Sequence, residues 1–267
     1  MKDRVSIDLK DGVADVRLIR ADKMNALDNA MFEGIIEAGD KLREMNGVRC
    51  VVLSGEGKAF CAGLDMGSFA AMKDQGDGKS VTRDLPKRTH GIANRPQQCA
   101  WQWRTLPVPV IAAVHGVAFG GGFQIMLGAD MRYATADARF SVMEIKWGLV
   151  PDLAGTQLMR HLVREDVARE LTYTGRIFDG SEAQQLGIVT RVVADPRAAA
   201  LETAKEIAAK SPDAIRAAKR LLNDAVAVDA ATGLMAESVE QQKLIGSPNQ
   251  IEAVMSNLQK RAANYKD

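Results

Sequence analysis

Apolar and polar positions alternate through Val5-Ser6-Ile7-Asp8-Leu9 and again through Val13–Ile19, on either side of Asp11-Gly12. Period two flanking an Asp-Gly pair predicts a β-hairpin. After Leu27 the period lengthens: Met31, Ile35, Ile36 and Leu42 recur at helical spacing, and Asp28 stands where an N-cap acceptor is needed. Arg49–Ser54 is a short apolar run closed by Gly55-Glu56-Gly57 and reads as a buried strand. From Gly67 to Pro96 no period holds, and Gly76, Gly78, Pro86 and Gly91 interrupt the stretch, so a mobile lid or loop with room for one short helix is expected. Val108–Val114 predicts a second buried strand. A helix is expected over Phe123–Asp130, a strand over Met131–Ala134, and short helices over Gly155–Leu162 and Glu165–Thr174. Ile188–Val193 is the last strand-like run. From Pro196 only helical periods occur, broken at Ser211-Pro212 and Gly246-Ser247-Pro248. The pattern therefore predicts an α/β body over residues 1–195 and a helical C-terminal region over residues 196–267.

Composition narrows the chemistry. The 267 residues are 46% hydrophobic and 26% charged, ordinary values for a globular protein. Lysine and arginine total 35 against 34 acids, a formal charge of +1. Such a chain has no global field to concentrate a polyanion, so nucleic acid is not an expected partner. Cys50, Cys61 and Cys99 are widely spaced and odd in number, which reads as reduced thiols in a cytoplasmic protein. The segment Met-Lys-Asp-Arg-Val-Ser-Ile has no apolar h-region, so no secretory signal is expected. No apolar run approaches the roughly 20 residues of a membrane span, and no membrane association is expected. His90, His115 and His161 form no ligand spacing, so no metal is expected. His90 reads as solvated, His115 as a strand-end packing residue, and Met143 and Trp147 as core.

Three segments carry candidate chemistry. Lys58–Met66 follows a buried strand and holds small residues with Gly63, so its backbone amides could approach a ligand; an ordinary strand-to-helix turn has the same local composition. It lacks the spacing of a Walker loop. His115–Gln124 contains Gly120-Gly121-Gly122 between a strand and a helix. Free N–H groups there would face a ligand with the helix dipole behind them, the arrangement that holds a developing oxyanion; tight helix–sheet packing is the alternative. In Ser141–Asp152, Glu144 stands among apolar residues, which disfavour its charged form and suit it to proton transfer near neutral pH. Asp152 could supply a second carboxylate. A surface Glu and a capping Asp are the commoner fates of such acids.

In order and spacing, Asp22-Lys23-Met24-Asn25-Ala26-Leu27, Lys58–Met66, Val114–Gln124, Glu144–Gln157 and the tail Lys260–Asp267 resemble the crotonase (enoyl-CoA hydratase/isomerase) superfamily. The resemblance implies a crotonase-like spiral of ββα repeats with a C-terminal helical trimerisation region. It implies a homo-trimer, often a dimer of trimers, and an acyl-CoA thioester substrate. No separate cofactor is implied, because CoA is part of that substrate. The oxyanion-hole amides fall on Leu64 and Gly121. The backbone around the CoA adenine falls on Ala62, Leu64, Asp65 and Met66, and Lys23 and Lys260 are candidates for the CoA phosphates, Lys260 from a neighbouring subunit.

One departure shapes the expected activity. Family hydratases carry two catalytic glutamates; here Gln124 holds the first position and Glu144 the second. Gln124 cannot pass a proton and is expected to position water or substrate. Asp152 stands where dienoyl-CoA isomerases of the family keep an aspartate. The resemblance thus favours double-bond isomerisation, the 3,5-dienoyl type included, with Glu144 moving the proton and Asp152 assisting. Hydration with Gln124 in place of one acid is the alternative. Thioester hydrolysis or decarboxylation on the same oxyanion hole is a further one, and a non-catalytic protein binding a CoA thioester or RNA is a reading of another class.

Overall fold

A computed structural model of the chain describes residues 1, 3–67 and 84–267. Strands β1 (Val5–Lys10) and β2 (Val13–Leu18) pair antiparallel about Asp11-Gly12. Both turn residues have positive φ, 51° and 79°, as the twist of a two-residue hairpin demands. Helix α1 (Asn29–Glu44) opens where the Asp28 carboxylate accepts the Met31 N–H at 2.7 Å. Strand β3 (Cys50–Gly55) is buried throughout.

The expected Gly67–Pro96 loop lies outside the described residues over 68–83. Its last part is not loop: Asn94 caps helix α2 (Arg95–Thr105) through a reciprocal bond with Gln97, and Pro96 occupies its first turn. Proline there starts a helix because that position needs no N–H. Strands β4 (Val110–Val114) and β5 (Val117–Phe119) precede helix α3 (Gly121–Leu127). Strands β6 (Met131–Ala134) and β7 (Arg139–Ser141) follow, then a 3-10 turn over Met143–Trp147. Helices α4 (Gly155–Met159) and α5 (Glu165–Thr174), strand β8 (Phe178–Asp179), helix α6 (Gly180–Gln185) and strand β9 (Arg191–Val192) complete the body. Four helices end the chain: α7 (Pro196–Ala208), α8 (Pro212–Asp224), α9 (Ala230–Leu244) and α10 (Pro248–Leu258).

The fold is α/β. One sheet runs β1-β2-β3-β4-β6-β9, parallel from β2 onward, and a second runs β5-β7-β8. Successive turns of the chain give one strand to each sheet, β4 with β5 and β6 with β7, so the backbone advances as a spiral. Strand alternation splits the core. Val51 and Leu53 of β3 join the main cluster with Phe60, Trp103, Phe123 and Phe140. Cys50 and Val52 face the other way, with Ile111, Ala113 and Tyr133, against Ala200, Ala204 and Ala208 of α7. The first helix of the C-terminal region is therefore the layer that closes the large sheet. Alanine at each fully buried contact allows the helix close to the strands, with Leu201 and Ile207 packed at the margin. Trp147, expected in the core, is 42% exposed with the Lys146 ammonium 5.3 Å from its ring centre. A 3-10 turn of five residues cannot bury every side, and Glu144 takes its inward side.

Glycine at 122 is required by close approach. A Cβ there would meet the Cys61 carbonyl and lie 2.7 Å from Cys61 Cβ, both on rigid backbone. Gly122→Ala should destabilise by about 1–3 kcal/mol, the range for overpacking. Gly233→Ala on α9, where the added carbon would find Val228 at 3.8 Å, should be neutral or stabilise by up to about 1 kcal/mol. Urea unfolding of both variants reads the difference.

Candidate active site

Pairing register brings the three chemical segments to one place. Cys61 bridges Ala118 in parallel, and Ala118 of β5 pairs in parallel with Phe140 of β7. Cys61, Ala118 and Phe140 thus form a row, and all three chains leave it in the same direction. Three residues on stand Leu64 and Gly121; four on from Phe140 stands Glu144. Ligand sites in parallel sheets form at such carboxyl ends, where the chain turns away and leaves backbone groups unpaired. The crossing is tight: a Cβ on Gly63 would lie 2.7 Å from the Phe119 oxygen and 3.8 Å from the Gly121 nitrogen.

The N–H groups of Leu64 and Gly121 take part in no hydrogen bond among the described residues. Gly121 is the first residue of α3, so its N–H has no intrahelical partner. Around Leu64 the neighbours are engaged: Ala62 N–H donates to the Met24 oxygen at 2.9 Å, Asp65 N–H to the Leu27 oxygen at 3.1 Å, and the Gly63 oxygen accepts from Leu27 at 2.8 Å. Of the four residues expected around adenine, Ala62 and Asp65 can therefore offer only carbonyl oxygens. Met66 is exposed at the rim.

Glu144 is 8% exposed. Its Oε1 accepts from Gln124 Nε2 at 2.7 Å and lies 3.2 Å from where a Cβ on Gly120 would be; its Oε2 is buried without a hydrogen-bond partner. Burial pushes its carboxyl above the ordinary glutamate range. Its own main-chain N–H and then the Gln124 bond oppose this, and the nearby Asp152 charge adds to it. Burial raises Asp152 as well. The apolar neighbours in sequence do not supply this environment: Ile145, Trp147, Leu149 and Val150 all point outward. Gly120, Gln124 and the turn itself enclose the carboxylate.

Gln124, expected to position water or substrate, is held by protein groups. Its Oε1 accepts from both Leu153 N–H at 2.8 Å and Gly155 N–H at 2.9 Å, and its Nε2 faces Glu144. The side chain is tied to protein on both ends and is buried at 1% exposure. Lys23 is exposed on the turn beside this segment. Lys260 is not drawn in, because the tail after it is tied at the far end of β3, where Arg49 donates to the Tyr265 oxygen and pairs with Asp267.

Two residues that sequence reasoning passed over hold the Leu64 loop. Arg20 Nη1 donates to Asp65 Oδ2 at 2.7 Å and to the Ala26 oxygen at 3.0 Å. Buried Asn25 accepts from Arg20 N–H and donates to the Glu56 and Ala59 oxygens. The signal available was a polar residue in the early segment flanked by Met24 and Ala26. The cysteines offer no nucleophile, since burial pushes the Cys50 and Cys61 thiols up to about 12 and raises Cys99 too. No group of three or more His, Cys, Asp or Glu among the described residues is placed to hold a metal ion.

Residues 8–267 match the enoyl-CoA hydratase/isomerase family model. The chain belongs to that family. Mouse methylglutaconyl-CoA hydratase, mitochondrial, is 30% identical, over 96% of this chain and 80% of its own. Mouse Delta(3,5)-Delta(2,4)-dienoyl-CoA isomerase, mitochondrial, is 33% identical, over 78% and 64%. An enoyl-CoA hydratase from Bacillus anthracis superposes with a TM-score of 0.89 at 30% identity, over 98% of this chain and 99% of that one. Membership makes the chain a family enzyme with the crotonase fold. No helix of the described residues is long and apolar enough to cross a membrane.

The raised carboxyl of Glu144 has a stability consequence. Below the ordinary glutamate range both folded and unfolded chains hold the proton. Above it the unfolded chain releases the proton first, so stability falls as pH rises, until the folded group also ionises. Glu144→Gln should lack this loss. Its stability relative to the native chain should grow as pH rises from about 4 and then level off, as urea unfolding at a series of pH values will read.

Proposed function

We propose that this enzyme moves a double bond along an enoyl-CoA thioester, with Glu144 as its base. The observation that carries the reading is the buried Glu144 carboxylate beside two main-chain donors unpaired among the described residues, with an amide where the family's other glutamate would stand. The thioester oxygen accepts from Leu64 and Gly121 N–H. Glu144 Oε2 takes a proton from the Cα of a 3-enoyl thioester, and the electron pair moves onto the thioester oxygen as an enolate. The enolate then collapses, the double bond comes into conjugation, and the same proton returns at Cγ. The two donors bind that oxyanion more strongly than the neutral carbonyl, which is what lowers the barrier. For a 3,5-dienoyl thioester, Asp152 would serve the far end of the conjugated system; its burial favours the protonated form that can donate. The dienoyl-CoA isomerase relative supports this variant. Hydration is the second reading, supported by the methylglutaconyl-CoA hydratase relative; it requires water activated by Glu144 alone.

The backbone of Ala62, Leu64, Asp65 and Met66 would receive the adenine, and Lys23 the CoA phosphates. Lys260 would act from a neighbouring subunit, because its own tail is held at the other end of the sheet. A homo-trimer accounts for α9, which buries none of its residues in the single chain and exposes Leu234 and Met235 at 63% and 65%. Three unpaired buried thiols favour a reducing compartment such as the cytoplasm.

Two measurements test this. With 2-enoyl-, 3-enoyl- and 3,5-dienoyl-CoA as substrates, products should be double-bond isomers, and Glu144→Gln should lose about 10²–10⁴ in kcat; a fully active variant would remove Glu144 from the mechanism. Light scattering should give a trimer or a dimer of trimers for the native chain and a smaller species for Leu234→Glu.

A further inference from the structure

The proposal concerns what holds the base, and it rests on the reading of Glu144 just given. Gln124 lies on α3, one turn after the free N–H of Gly121, and its amide can sit in only one orientation. Two N–H groups, from Leu153 and Gly155, converge on Oε1. Reversing the amide would set an NH2 against both donors, in a place where water cannot compensate. Nε2 must then face Glu144 Oε1, 2.7 Å away. An amide nitrogen donates and cannot accept, so it favours the ionised carboxylate. Glu144 Oε1 is occupied by that bond, and Oε2 is left as the buried, unpartnered oxygen.

The space around this amide is closed as well. A Cβ on Gly155 would come within 2.5 Å of Gln124 Oε1 and 2.8 Å of its carbonyl carbon. The segment that binds the amide includes Leu153 and begins directly after Asp152, the one other charged group acting on Glu144 among those described. One side chain thus ties α3, the Glu144 turn and the Asp152 segment together.

We infer that Gln124 is a positioning residue: clamped by the Leu153 and Gly155 amides, it presents a fixed N–H to Glu144 Oε1 and leaves Oε2 to take the substrate proton. It acts on the reaction through Glu144. Its chemical consequence is that position 124 offers no exchangeable proton, so transfer between two carbons of one acyl chain falls to Glu144, with Asp152 the remaining acid.

The test reads Glu144 directly. The full-length protein is labelled with [δ-13C]glutamate, and the Glu144 resonance is assigned by its loss in Glu144→Gln. The carboxyl is then titrated in the native protein, in Gln124→Met and in Gln124→Glu. Removing the N–H donor in Gln124→Met should move the Glu144 midpoint up by about one pH unit, since a hydrogen bond to a charged group is worth about that much. In Gln124→Glu the new carboxyl keeps both main-chain donors but must share a proton with Glu144, so the titration should become biphasic. A merely structural Gln124 would leave the midpoint unmoved in Gln124→Met, and that result would overturn the inference. Where Gln124→Met fails to fold, the same titration in Gln124→Leu, which also lacks the donor, takes its place. Exchange of the Cα hydrogens of butyryl-CoA with D2O separates this inference from the reading beneath it. A fully active Glu144→Gln with a shifted midpoint in Gln124→Met sinks the base and spares the clamp. An inactive Glu144→Gln with an unmoved midpoint sinks the clamp and spares the base.

Discussion

The pairing of Cys61 with Ala118 and of Ala118 with Phe140 is the constraint on which the rest of the site depends. These are main-chain bonds between segments far apart in sequence. They set three parallel chains in register, and register converts three unrelated positions into neighbours. Leu64 and Gly121 then fall at the same height because each is three residues beyond the row. A slip of one residue would turn Glu144 away from Gly120 and leave two N–H groups pointing at different places. Glycine is needed where the segments touch: a side chain at 63 would strike the Phe119 oxygen, and one at 122 would strike Cys61. The glycines thus answer to the space between two backbones as much as to any ligand.

Around this row, charge is placed by burial and by fixed dipoles. Glu144 is held where its ionised form is costly, and one amide N–H offsets part of that cost. Asp152 stands near enough to oppose ionisation further. On the other wall Arg20 binds Asp65, and Asn25 binds the main chain of Glu56 and Ala59, so that the loop carrying Leu64 is fixed by side chains that face away from the proposed oxyanion. Preorganised donors of this kind need no reorientation as charge develops, which is why they stabilise an enolate more than solvent does.

The C-terminal region has two parts with different physical roles. Helix α7 lays alanines on the large sheet and completes its core. Lys219 of α8 is buried, with its ammonium bound to the Trp103 and Val108 oxygens and to Asp130. No residue of helix α9 is fully buried within the chain. Exposed apolar side chains on this helix, Leu234 and Met235 among them, are the basis for the trimer proposed above.

The sequence by itself determined the hairpin, the cap of α1, strands β3, β4 and β6, helix α5 and the helical character of everything after Pro196. Each rests on local periodicity, a turn pair or a capping residue, and such signals act within a few residues. It also singled out Leu64, Gly121, Glu144 and Gln124, through the order of four motifs along the whole chain. Strands β5, β7 and β8, two or three residues long, carry no period and escaped notice, and Pro96 gave no sign that it opened α2. Only the tertiary structure decided what encloses Glu144. Its sequence neighbours Ile145, Trp147 and Val150 turn outward, and its real environment comes from Gly120 and Gln124, more than 19 residues earlier in the chain. Only the tertiary structure decided that the Gln124 amide is clamped by Leu153 and Gly155. Those partners lie some 30 residues away, and no local pattern encodes a bond whose two ends meet only after the sheets have paired.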